Sequence, residues 1–138
     1  MPGFRWPMGA CSVHAATNSK GANVIINRES VSSLDFDGLS ILDYTAGLGS
    51  SSSLAHIRVP PGARHAPSWS TRSTKYYYVL SGPIHFGIDG DEFVLDQGDV
   101  CILFIGQRFT YENRSDTSVE MILVHTPSFN LEAERFEA

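Results

Sequence analysis

Lys75 and Tyr77 stand two residues apart in the run Lys75-Tyr76-Tyr77-Tyr78-Val79-Leu80, so in a β-strand their side chains share one face. An amine beside a phenol suits proton transfer at a carbonyl group. A lysine removed from water holds its proton less firmly and can then act as a base or attack a carbonyl carbon. If it keeps its charge it can instead anchor an acidic substrate or a developing enolate. The purely structural alternative is a lysine that pairs with a nearby carboxylate or reaches out to solvent along its stem. Tyr77 is a proton donor beside that amine, or a core aromatic. Tyr76 and Tyr78 must point the other way, against another sheet or a second subunit.

Other candidates lie on neighbouring runs. His56 and Arg58 alternate with Ala55, Ile57 and Val59, and the alternation fixes which residues travel together but not which set faces inward. Facing a pocket, Arg58 would bind a carboxylate and His56 would titrate near neutrality; facing solvent, they form an ordinary polar edge. His125 shares a face with Met121 and Leu123, as a pocket group or a satisfied core histidine. His65 falls in a loop-like stretch that either closes over a ligand or is simply exposed.

The elements that must hold these residues are strands. Short β-rich runs bounded by Gly, Pro, Asn and Asp recur about every ten residues, with no helical period longer than a few turns. Strands are expected near 24–27, 39–44, 54–59, 75–80, 84–88, 92–95, 100–105, 109–113 and 119–126. Pro60-Pro61-Gly62, Ser81-Gly82-Pro83 and Gln97-Gly98-Asp99 punctuate them, and Asp89-Gly90 predicts a two-residue type I′ hairpin. Such a rhythm predicts an all-β sandwich or barrel. Residues 1–20 read as a loose leader, 21–128 as one barrel domain, and 129–138 as a polar tail or a single helical turn.

With 138 residues, 42% of them hydrophobic and 18% charged, the chain can bury a substantial core as one domain. A net charge of -5 without a Lys/Arg cluster argues against nucleic acid or an anionic membrane as partner. The apolar run from Val100 to Ile105 is too short to span a bilayer, and residues 1–16 lack the apolar stretch of a secretory signal, so a cytoplasmic location is expected. Cys11 and Cys101 have neither metal-like nor short-loop disulfide spacing, and Cys101 is expected in the core.

From Val59 to Pro127 the chain resembles the cupins. The first cupin motif, G-x5-H-x-H-x(3,4)-E-x6-G, is traced by Gly62, Ser68, Ser70, Lys75 and Gly82. The second, G-x5-P-x-G-x2-H-x3-N, is traced by Gly98, Phe104, Gly106, Phe109 and Asn113. The glycine frame matches and the ligand residues do not. The resemblance implies a double-stranded β-helix, a jelly-roll barrel in which the four motif ligands converge on a divalent ion. Here those places read Ser68, Ser70, Lys75 and Phe109, which cannot make that site: serines ligate weakly, Phe not at all, and Lys adds positive charge. The same resemblance turns Lys75, Tyr77 and Val79 into the barrel. Phe104 and Phe109 then make the pocket more apolar, suiting an aromatic or apolar ligand, or they plug it.

Three functions follow. The first is a cofactor-free enzyme, of isomerase, cyclase, dehydratase or decarboxylase type, that acts on a small apolar or aromatic carbonyl compound. Lys75, Tyr77 and His56 would be catalytic, with Arg58, His65, Ser68, Ser70, Phe104, Phe109 and His125 contacting substrate. The second is a non-catalytic module that encloses a small molecule. The third is a metal-dependent cupin whose ligands have moved to His56, His65, His85 and His125. Small cupins usually pair, so a homodimer is expected, with no nucleic acid or membrane partner.

Overall fold

The computed structural model describes residues 14–18 and 21–137, with side chains from residue 23 onward. Among the described residues, thirteen strands run in the order β1 (His14–Asn18), β2 (Gly21–Ile25), β3 (Leu34–Phe36), β4 (Leu39–Asp43), β5 (Ser53–Val59), β6 (Arg64–Ser70), β7 (Thr74–Ser81), β8 (Ile84–Ile88), β9 (Asp91–Leu95), β10 (Val100–Leu103), β11 (Phe109–Glu112), β12 (Val119–Thr126) and β13 (Glu134–Phe136). Single 3-10 turns occupy Arg28–Ser30 and Leu131–Ala133. A six-stranded sheet in the order β10-β7-β12-β5-β4-β3 faces a five-stranded one in the order β13-β6-β11-β8-β9, and all pairings are antiparallel. The all-β architecture expected from the turn rhythm, and the jelly-roll that the cupin resemblance implies, are the fold.

Alternation decides what fills the space between the sheets. On β5 the buried set is Ser53, Ala55, Ile57 and Val59; on β12 it is Val119, Met121, Leu123 and His125; on β7 it is Lys75, Tyr77 and Val79. Strand register lines these up in cross-strand rows: Val59 with Val119; Ile57 with Met121 and Val79; Ala55 with Leu123 and Tyr77; Ser53 with His125 and Lys75. The interior therefore grades from aliphatic at one end to polar at the other. Phe86, Phe109 and Tyr111 of the five-stranded sheet cover the middle of these rows, each buried to 2% exposure or less. Removing each such side chain from water contributes roughly 1.5–3 kcal/mol.

The frame of the two motifs persists for backbone reasons. Gly62 has φ +78, where a side chain would be strained, and its N–H donates to the Asn113 carbonyl at 2.8 Å. A Cβ on Gly82 would meet the Leu95 carbonyl oxygen at 3.1 Å. Asn113, wholly buried, donates through Nδ2 to the carbonyls of Val59 and Thr117 and accepts at Oδ1 from Ser115, so it ties a turn to a strand. These positions hold the barrel whatever it contains.

Three strands and part of the leader depart from the sequence expectation. Of residues 1–20, only 14–18 are described; they pair with β2, and Cys11 lies outside the described residues. Asp37-Gly38, with φ of 52° and 90°, makes a second tight turn like Asp89-Gly90 and adds β3. The ending, expected as a polar tail or a single helical turn, makes the turn at Leu131–Ala133 and then adds β13, which pairs with β6 and buries Glu134. Strand β6 escaped because Pro67 interrupts it. The proline sits in a bulge, where Ala66 and Pro67 together oppose Thr110.

Candidate functional site

At the polar end of the barrel the two sheets leave a cavity of about 50 Å³, enough for a few water-sized groups. Eight polar side chains line it: Asp43, Ser53, His65, Lys75, Tyr77, Tyr111, His125 and Glu134. Phe36, Phe129, Leu131 and Phe136 form its apolar rim. Beyond the rim a wider polar groove of about 740 Å³, which includes Thr45, Ser50, Arg72 and Asn130, shares Asp43, Ser53, Phe129 and Leu131 with the cavity.

Lys75 and Glu134 are the charged centre. The Lys75 ammonium donates to Glu134 Oε1, and both side chains are 5% exposed. Burial pulls the Lys75 ammonium below its ordinary range, and the Glu134 carboxylate pulls it partly back. The amine also lies 4.7 Å from the centre of the Phe109 ring, a cation–π contact made by the residue that stands where the second motif has histidine.

Both histidines are neutral. His65 Nδ1 is 2.7 Å from the Ala66 carbonyl oxygen; because a carbonyl only accepts, Nδ1 carries the hydrogen and Nε2 keeps its lone pair. Burial, reinforced by the charge of Lys75, lowers His65 to about 3. The same two causes lower His125 to about 3. His125 sits in the row of Lys75, with Phe129 edge-on at 5.2 Å. The His65 ring stacks on Phe109 at 5.0 Å and on Phe36 at 5.8 Å.

The bulge at Ala66-Pro67 is what brings His65 inside. His65 and Ser68 are three residues apart, which on a regular strand would place them on opposite faces, yet both are buried. The extra residue restores the inward direction, and Thr110 Oγ1 donates to the His65 carbonyl beside it.

Burial pushes the Tyr77 and Tyr111 phenols up, so both remain protonated donors. Their rings meet edge-on at 5.5 Å. His125 Nε2 is buried without a hydrogen-bond partner, and the buried Tyr111 hydroxyl meets only the Tyr77 phenol, short of good hydrogen-bond geometry. Orphaned polar atoms at a cavity are groups that a bound molecule would satisfy.

Of the residues expected at the site, the structure brings Lys75, Tyr77, His65 and His125 to the cavity. Six expected contacts are corrected. His56 and Arg58 point outward, because burying Ala55, Ile57 and Val59 is worth more than burying a cation, and His56 faces Glu120 at 3.6 Å. Phe104 follows inward Leu103 and is 63% exposed. Ser70 is buried but caps the β6–β7 turn, accepting from the N–H groups of Ser73 and Arg72. Ser68 is wholly buried without a partner, and Phe109 packs behind Lys75 and His65; neither lines the open space.

The chemistry of the motif positions does not fit the metal that cupins commonly hold. Two serines, an ammonium and a benzyl ring offer no ligand set. Among the described residues, no three His, Cys, Asp or Glu side chains converge to hold an ion. The ligand set of His56, His65, His85 and His125 is likewise corrected: His56 and His85 lie on different sheets and only His65 and His125 line the cavity.

Sequence reasoning missed Tyr111 and Glu134. Tyr111 was within reach, two residues from Phe109 on one strand face. Glu134 was not, since nothing in a short polar ending announces a strand that carries a carboxylate inward. No helix of the described residues is long and apolar enough to cross a membrane.

Known proteins share this architecture. Over 74 residues the chain is 27% identical to the tetracenomycin polyketide synthase protein TcmJ of Streptomyces glaucescens; the match takes in 54% of this chain and spans half the length of that relative. The structure of Pac13, a nucleoside dehydratase, superposes with a TM-score of 0.69 at 24% identity, covering 80% of this chain and 88% of that one. A Streptomyces Pac13 variant with uridine gives 0.70 at 23% identity, covering 81% and 88%. The cupin domain of Schizosaccharomyces pombe Cnp3 gives 0.68 at 15% identity, covering 85% and 87%. The model of the cupin domain matches residues 55–125, more than half of the chain, and takes in Lys75, Tyr77, Tyr111 and His125, so this chain belongs to the cupin family.

Proposed function

We propose that the barrel is a cofactor-free catalytic pocket that moves a proton on a small, largely apolar or aromatic carbonyl compound. The observation that carries this reading is the buried Lys75–Glu134 pair at the open space, facing two neutral histidines and two protonated phenols. Loss of a proton from the carbon beside a carbonyl builds negative charge on the carbonyl oxygen. Tyr77 and Tyr111 are the donors for that oxygen, Lys75 with Glu134 takes the proton, and the His125 lone pair offers a second station for returning it elsewhere. Isomerisation, cyclisation, dehydration and decarboxylation all use such a step. The barrel's likeness to a nucleoside dehydratase and to a polyketide synthase protein is in keeping with this reading and does not choose among the four.

The outer face of the six-stranded sheet is the natural partner surface for a second copy. Tyr76, Tyr78, Val100 and Ile102 are adjacent there by register, and each is 39% exposed or more. A homodimer through this face leaves the cavity free.

The test is deuterium uptake into cyclohexanone and acetophenone in D2O, followed by NMR. Uptake above the solvent rate is expected, and its loss in Lys75→Met/Glu134→Gln, a double change that leaves no buried charge unpaired. A second reading, a non-catalytic module that only encloses a ligand, is favoured by the small cavity and by the salt bridge that already satisfies Lys75. It would prevail if the ketones perturb the resonances of Tyr77 and His125 without uptake and the double variant binds them equally well.

A further inference from the structure

We infer that Lys75 is a nucleophile that captures aldehydes and ketones as an imine, which makes the cavity a covalent carbonyl site. The inference rests on the reading of the cavity as a carbonyl pocket and goes beyond it in assigning a bond to carbon.

The choice of residue is the first argument. Of the ten basic residues only Lys20 and Lys75 are lysine, and Lys20 lies outside the described residues. The other eight are arginine, which binds a buried carboxylate better because its planar fork is bidentate. Yet the buried partner of Glu134 is the one basic side chain type that can shed its proton and offer a lone pair.

Geometry supplies the rest. Addition requires a neutral amine, a place for its proton, and donors for the carbonyl oxygen. Glu134, already hydrogen-bonded to the ammonium, takes the proton without its passing through solvent, and burial loosens the hold of Lys75 on that proton. The Lys75 nitrogen pair then forms the C–N bond while the C=O π pair moves to oxygen, which takes the proton back from Glu134. The nitrogen sheds its remaining excess proton to Glu134. The hydroxyl, protonated in turn by Glu134, leaves as water as the nitrogen pair closes the C=N bond. One carbonyl and one ammonium become one iminium and one water, Glu134 ends as the carboxylate it began as, and no oxidant or reductant is needed. Tyr111 lines the same cavity with a buried phenol that stays protonated, so the carbonyl oxygen meets a donor, and His125 Nε2 stands beside it without a protein partner. Phe109, 4.7 Å from the amine, stabilises the cationic iminium form.

Reductive trapping tests this directly. The intact chain is incubated at neutral pH with propanal and cyanoborohydride, digested, and mapped by mass spectrometry, with Lys20 and the terminal amine as internal references. A propyl adduct concentrated at Lys75 is expected, ahead of Lys20, and absent at that position in Lys75→Arg, which keeps the charge opposite Glu134. Adducts confined to Lys20 and the terminus overturn the inference. If propanal perturbs Tyr77 and His125 in NMR spectra, Lys75 stays unmodified and Lys75-dependent deuterium uptake persists, the imine fails while the proton-transfer reading stands. If propanal produces neither perturbation nor adduct and the ketones take up no deuterium, both fall.

Discussion

The two ends of the barrel are built from the same three strands and behave as different materials. At one end Val59, Val79 and Val119 are wholly buried hydrocarbon. At the other, four to six residues along the same strands, Ser53, Lys75 and His125 share a row beside open space. The dry end is stabilised by dispersion and lost water contact, which tolerate no missing volume. The polar end is stabilised only as far as its charges remain paired. The contrast teaches that this fold confines its chemistry to one layer of side chains and leaves the layers beneath to hold the frame.

The largest effect that would sharpen this contrast is at the ion pair. Lys75→Met alone leaves Glu134 buried and alone, and Glu134→Ala does the same to Lys75; each should cost about 3–5 kcal/mol, measured by urea unfolding. Lys75→Met/Glu134→Gln should recover most of that loss. If a single change costs no more than an exposed salt bridge does, water reaches the pair and the polar end is not the enclosed layer described above. Next is Met121→Ala at the dry end, expected to cost about 2–5 kcal/mol while leaving deuterium uptake at the cavity intact. An equal loss of uptake would show the two ends to be mechanically coupled.

How much of this was legible in the sequence follows the same division. The dry end and the frame were readable, since Ile57, Val59, Val79 and Met121 alternate cleanly and Gly62, Gly82 and Asn113 occupy places that backbone geometry demands. Lys75 and Tyr77 were readable as one face. His65 was named only as a loop residue that closes over a ligand or is exposed; its place on an inward strand face was not readable, because period-two counting from Ser68 puts it outside and only the bulge at Ala66-Pro67 turns it in. Glu134 was not, because β13 is held by pairing with β6, 64 residues or more away for each of its partners, and a three-residue strand has no pattern of its own. His56 and Arg58 misled because alternation names two faces without ranking them. Burial of apolar area ranks them, and that is a property of the assembled sheets.

Acid should act on the polar end alone. His65 and His125, lowered to about 3 from an ordinary 6.5, are neutral when folded and bind protons when unfolded across that interval. The unfolded state therefore binds more protons between pH 6.5 and 3, and stability falls as pH falls through that window. Each histidine contributes a slope of about 1.4 kcal/mol per pH unit, or about 2 kcal/mol by pH 5. His125→Gln should remove one such slope, read from unfolding curves at pH 7 and 5. An unchanged slope would mean that His125 is already solvated in the native state.

The smallest expected effect separates stability from function most cleanly. Tyr111→Phe deletes a buried hydroxyl that has no well-formed hydrogen bond and meets only the Tyr77 phenol, while leaving the ring against Phe86 and His65. A satisfied hydroxyl would be missed by about 1 kcal/mol; removing an orphaned one should leave the unfolding midpoint unchanged or slightly raised. Deuterium uptake into the ketones should nevertheless fall, because the donor waiting for the carbonyl oxygen has gone. A stable variant with undiminished uptake would take Tyr111 out of the site and leave Tyr77 as the phenol that serves the oxygen; a destabilised one would mean that the hydroxyl is satisfied within the fold, and so belongs to the frame.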